Sequence, residues 1–333
     1  MFLAEFATGK NYSFNVKTIV RDSFFPRRAI MSSRWPRPGR RLLPALVVFA
    51  HLATVIEGVA ATEKLLKVTS QEEAGETHFY AENLAVGNVA ATFDVKSKNT
   101  TGSTTFPYTV TLPGKQKVEI FTLAPTRREN AWKFDYTFAC NLGSTVATHA
   151  DDLVYELPYG PGSTYKVVQG HHGSFSHTGG ADEFAIDWKM PEGTPVCAAR
   201  DGLVVKSKDD SNEGGPNRKF QRAANCILIQ HDDGTIGIYG HLKMDGNRAK
   251  VGDRVKTGDI IGLSGNTGFS SGPHLHFAVF KAKNGAERES IPVKFRTEDR
   301  EAIIPVSGQA YMAPKHPITR VAAADSRKPG SGD

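Results

Sequence analysis

The sequence predicts an all-β protein, and three observations carry that prediction. Short runs such as "YTVTL" and "KVEIF" alternate apolar and polar residues, the period of a strand whose side chains point to opposite faces. Turn signals punctuate the runs: "PG" at 113–114, "DDG" at 232–234, "GD" at 252–253 and again at 258–259. No helical periodicity of useful length interrupts residues 62–165.

Taken in order, residues 1–61 read as a leader or signal peptide. "RWPRPGRR" (34–41) is basic, "LLPALVVFAHLATVI" (42–56) is apolar, and "EGVAA" (57–61) offers small residues for cleavage. A start at Met31 would give the basic region a more ordinary length. The apolar run is short for a membrane span, so membrane contact is expected only through an uncleaved leader, and the working part is expected in the periplasm or secreted. Of the 41 basic and 35 acidic residues, nine and three fall in residues 1–61, leaving 32 of each beyond it. The whole excess of +6 belongs to the leader. It therefore points to no polyanionic partner, and nucleic acid is not expected.

Residues 62–160 read as an N-terminal β-sandwich-like domain. In "WKFDYTF" (132–138), Trp132, Phe134, Tyr136 and Phe138 share one face, as in a half-buried strand. No cluster of His, Asp or Glu suggests chemistry there. A Pro/Gly-rich break, "ELPYGPGSTY" (156–165), leads into a second domain over 161–310, with strands "GLVV", "CILIQH", "TIGIYGHL", "DIIGLSG" and "HLHFAVF". Residues 311–333 read as a tail with a disordered end. Cys140, Cys197 and Cys226 have no metal-binding spacing. Either Cys197 and Cys226 pair in an exported protein, or all three are buried thiols.

The chemistry concentrates in "SGPHLHFAV" (271–279). His274 and His276 are two apart on a strand, so both rings face one side, as a metal site or catalytic pair requires. Partners are available in "SHTGGADEFAIDW" (176–188), with His177, Asp182 and Asp187, and in "IYGHL", with His241. His172 is a weaker competitor. His78, His149 and His316 stand alone and are expected to be solvated or satisfied. "SGNTGFSSG" lacks the following helix and the Lys-Ser/Thr of a phosphate loop, so it is read as the lining of a narrow groove. Tyr239, two residues before His241, is placed at that groove's border, with a core position as the alternative.

Five ordered blocks, "FSHTG", "AIDWKMPEGTPVCAARDGLV", "IQHDDGT", "YGHL" and "VGDRVKTGDIIGLSGNTGFSSGPHLHF", run through residues 175–277. They resemble the lysostaphin-type (LytM-like) zinc metallopeptidases, which cut peptidoglycan cross-links. The resemblance implies an antiparallel β-sheet peptidase domain with an active-site groove and one Zn2+ per chain. Its implied ligands are His177, Asp187 and His276, and His241 and His274 take the catalytic roles, their division left open. Peptidoglycan peptides are the implied substrate. Nine residues separate His177 from Asp187 where the family commonly has three; if that longer loop rearranges, Asp182 is the ligand instead. Two other readings are a non-catalytic LytM-like activator of other wall hydrolases and a metal hydrolase of non-wall substrates. The retained set of five residues favours the enzyme. The N-terminal domain is expected either to occlude the groove or to dock a partner.

Overall fold

The computed structural model describes residues 19–21 and 65–315. The expected leader, its start and cleavage site, His316 and the end of the tail lie outside the described residues. Strands dominate. Among the described residues the single helix is the short 3-10 turn Arg218–Ala223, and no helix is long and apolar enough to cross a membrane.

The chain divides into two units. The first runs to Val146 and takes back residues Ala282–Glu287. It contains two four-stranded sheets. One has the order Leu66–Glu73, Glu76–Asn83, Lys117–Pro125, Thr100–Gly102; the other has Ile19–Arg21, Trp132–Leu142, Val89–Lys98, Tyr108–Leu112. Phe79 and Phe121 of the first sheet stack at 4.7 Å. They meet Phe134 and Phe93 of the second edge-on, at 5.6 Å each. Ring-to-ring packing between two sheets is a β-sandwich core, and the alternation in 132–138 is what puts Trp132, Phe134 and Phe138 inside. Gly114 of the predicted turn is required there: a Cβ would stand 2.0 Å from the Val86 carbonyl oxygen.

The second unit comprises Ala147–Lys281 and the chain from Arg288 onward. Its boundary falls before the Pro/Gly-rich segment rather than within it, because Tyr155, Leu157 and Tyr159 are buried in the second core. The expected tail also begins too early. Ala310–Met312 is a strand paired with Thr164–Gln169, and Tyr311 and Ala313 join the core. A nine-stranded sheet organises this unit. Its central strands run Gly202–Lys208, Cys226–Gln230, Ile236–Gly240, Leu275–Ala282, Ile186–Lys189 and Thr164–Gln169, all antiparallel.

Period-two alternation assigns the two faces of that sheet. Ile186, Trp188, Leu275, Phe277, Val279 and Tyr239 enter the apolar core, while Asp187 and His276, cross-strand partners, turn to the other face. The three cysteines are buried free thiols, so the Cys197–Cys226 bridge does not form. Burial pushes the Cys140 thiol up to about 12 and Cys197 up to about 11, which keeps both unreactive at neutral pH.

Candidate metal and catalytic centre

Three side chains separated by up to 99 residues converge on one point. His177, Asp187 and His276 each offer a ligand atom, all lying within 4.8 Å of one another, and all three residues are buried. Backbone carbonyls fix the imidazoles. His177 Nδ1 donates to Gly170 O at 2.8 Å, His241 Nδ1 to Thr267 O at 2.6 Å, and His274 Nδ1 to Gly272 O at 2.8 Å. A carbonyl oxygen only accepts, so each Nδ1 carries a proton, and the neutral form of each ring has its lone pair on Nε2.

This makes the His177–Asp187 contact informative. His177 Nε2 lies 3.2 Å from Asp187 Oδ1, yet it is buried without a hydrogen-bond partner. A lone pair faces a carboxylate oxygen, two electron donors with nothing between them. Such a pair suits a shared cation, so the residues present fit a zinc ion.

His276 is bracketed by two carboxylates. Its Nδ1 is 2.9 Å from Asp187 Oδ1 and its Nε2 is 3.2 Å from Asp182 Oδ1. Burial by itself would lower its pKa, but Asp182 and Asp187 together hold it at about 10. Burial would likewise raise the Asp187 carboxyl, but His274 foremost and the hydrogen bond from His276 hold it well below the usual carboxylate range. The choice between the two acids is thus geometric. Asp187 touches both histidines, whereas Asp182 reaches only the far nitrogen of His276 and backs it.

His241 and His274 complete the cluster, their ring centroids 4.5 Å apart. His274 Nε2 lies 3.8 Å from Asp187 Oδ1. His241 sits just past the strand end with φ +60, a left-handed conformation that costs a non-glycine residue about 1 kcal/mol. The turn swings its ring toward His274, off the face set by the preceding strand. Gly240 is the cross-strand partner of His276. Burial, then His274 and His276, hold the His241 pKa well below its ordinary value, so this ring is neutral.

The same turn corrects the reading of Tyr239. It does not share a face with His241 and does not border the groove. It is fully buried, packs against Phe277 at 5.2 Å, and its hydroxyl accepts a hydrogen bond from Ala199 N at 2.8 Å. The cluster does not include His172, which is exposed and lies 3.5 Å from Glu183. His78 is satisfied by Glu119 at 2.9 Å, and His149 stacks on Tyr155 at 6.0 Å.

Sequence reasoning missed Gln169. Its amide donates to Asp187 Oδ2 at 3.0 Å and to Ser176 Oγ at 2.7 Å, tying the strand to the His177 loop. Only the cross-strand register Gln169–Asp187 brings it there, and nothing in its spacing signals it. The site opens into a groove of about 300 Å3. Its lining includes Asp187, His241 and His274 together with Phe175, Phe269 and Lys189.

Part of the second unit is similar to known proteins. The pattern of Peptidase family M23 matches residues 182–288. An uncharacterized metalloprotease of Buchnera aphidicola is 46% identical over 99 residues, 29% of this chain and 23% of that protein. The glycyl-glycine endopeptidase ALE-1 of Staphylococcus capitis is 42% identical over 98 residues, 29% of this chain and 24% of its own length. The peptidoglycan DD-endopeptidase ShyA of Vibrio cholerae is 41% identical over 93 residues, 28% of this chain and 19% of its own. The match spans less than a quarter of each of these relatives.

Proposed function

From the premise that residues 182–288 are a Peptidase family M23 domain, homologous to the matching region of peptidoglycan endopeptidases, we propose that this chain is an exported zinc endopeptidase acting on peptidoglycan peptides. The observation that carries the reading is the facing pair of electron donors, His177 Nε2 and Asp187 Oδ1 at 3.2 Å, with His276 beside them. His177, Asp187 and His276 would hold the ion. When bound there, zinc supplies Lewis acidity toward a water and a scissile carbonyl.

The remaining chemistry belongs to this chain's own side chains. His276, with an Nε2 proton donated to Asp182, keeps Nδ1 for the ion. His241 is neutral and presents an Nε2 lone pair, which suits it to take the proton of the attacking water and return it to the leaving amine. His274, adjacent at 4.5 Å, is then the group that hydrogen-bonds the developing oxyanion when its Nε2 carries a proton as well as Nδ1. All five residues are present and clustered, which favours an enzyme over a non-catalytic activator. Export rests on the leader reading alone.

The test is mass spectrometry of fragments released from purified sacculi by the zinc-loaded protein. New peptide amino termini, lost with a chelator and restored by zinc, are expected. No release, or release indifferent to the chelator, overturns the proposal.

A further inference from the structure

We infer that the groove carries an anion subsite built from Lys166 and Lys189, which holds a carboxylate of the peptide one or two residues from the scissile amide. The inference rests on the peptide-hydrolase reading above and names the class of substrate it takes.

The argument begins with register. Lys189 follows Asp187 by two residues on the Ile186–Lys189 strand, so both point to one face. Lys166 is the direct cross-strand partner of Lys189, and Gln169 is the partner of Asp187. The Gln169 amide bonds the Asp187 carboxylate, which identifies this face of both strands as the site face. Lys189 lines the same groove as Asp187, His241 and His274, and both lysines are exposed.

Two ammonium groups directly opposite each other repel, with Cβ atoms about 5 Å apart in such a pair. The acid nearest on that face, Asp187, is already surrounded by His177, His274, His276 and Gln169. Among the described residues neither lysine has an ion-pair partner. Beyond residue 61 the chain is neutral overall, so a general surplus of lysine does not account for the pair. An anion between them turns the repulsion into a bidentate clamp.

The position suits a substrate group. At about 3.3 Å per residue, Lys189 starts about 7 Å along the strand from Asp187, and its side chain spans a further residue or two of an extended peptide. Elsewhere the rim carries half-exposed Phe175 stacked on Phe269 at 5.1 Å, with the Arg218 guanidinium over the Phe269 ring at 5.3 Å. The strand edge is where two cations stand directly opposite each other beside the candidate ligands. The chemical class that fits is a cross-link whose amine-side residue bears a free carboxylate next to the scissile nitrogen, in preference to a neutral glycine bridge.

The experiment uses the full zinc-loaded chain and cross-linked muropeptide dimers with that carboxylate either free or amidated. Wild type should prefer the free acid by about fivefold to tenfold in kcat/KM, carried by KM, the size expected for one or two exposed ion pairs. Lys166→Gln/Lys189→Gln should erase the preference by raising KM for the free acid alone, with kcat held within about twofold. Arginine at both positions should restore it. Equal kcat/KM for both dimers in wild type overturns the subsite while leaving the hydrolase intact. Equilibrium binding of the same dimers separates the two readings. Preference for the free acid with no turnover of either dimer keeps the subsite and removes the hydrolase; equal binding of both removes the subsite.

Discussion

The two units are built from the same material, antiparallel strands with one apolar face, and differ in what they bury. Among the described residues of the N-terminal sandwich, the buried polar side chains are Thr77, Asn83, Asn141 and Ser144, which carry no acid or base. Asn83 is typical, its amide donating to three backbone carbonyls, those of Gly87, Leu112 and Pro113. The second unit buries His177, Asp182, Asp187, His231, His241 and His276. Burying ionisable groups opposes folding unless partners or an ion compensate. The sandwich is arranged for packing, whereas the large sheet holds a costly cluster in a fixed geometry. That contrast locates the chemistry more firmly than any one motif.

The sharpest way to break the comparison is to remove parts of the cluster. His276→Ala should lose zinc and turnover together, activity falling about 10³-fold or more, read by metal analysis and fragment release. His241→Ala should keep its zinc while turnover falls about 10²–10⁴-fold. Zinc loss from the second variant would make His241 a ligand and the division of roles incorrect.

A packing variant in the other unit should behave differently. Phe79→Ala removes a ring stacked on Phe121 and is expected to cost about 3–5 kcal/mol of stability, measured by urea unfolding. Zinc stoichiometry should stay at one per chain. A coupled loss of metal would abolish the distinction between the units.

Next in size are the two acids. Asp187→Asn should release the metal, whereas Asp182→Asn should weaken zinc affinity only about 10–100-fold, measured by competition with a chelator. The reverse order would exchange their places.

The smallest effect is in pH. Burial pushes His231 down to about 4, so between about pH 6.5 and 4 the unfolded chain binds a proton that the folded chain does not. The second unit should therefore lose stability as pH falls through that window. In the sandwich, the hydrogen bond to Glu119 raises the pKa of His78. Its contribution is present below the ordinary histidine pKa and fades as pH rises, with opposite sign and little weight for so exposed a group. Pulse-labelled hydrogen exchange in urea, read peptide by peptide, separates the two units. Parallel pH trends in both would contradict the assignment.

Much of this was legible in the chain itself, because period-two alternation and sequence blocks are local properties. The aromatic stripe of 132–138 and the strand that carries His276 follow from residue order, while family resemblance offers Asp187 with Asp182 beside it. The five candidate residues His177, Asp187, His241, His274 and His276 do come together. Tertiary structure alone decided the rest, since it depends on which strands lie side by side and where the backbone leaves its strand. Cross-strand register put Gln169 beside Asp187 and Lys166 beside Lys189. The left-handed turn at His241 separated that ring from Tyr239, sending one to the site and the other to the core. Asp182 and Asp187 are both acids within one loop and strand, and only the folded geometry separates the one that touches His177 and His276 from the one that touches His276 alone.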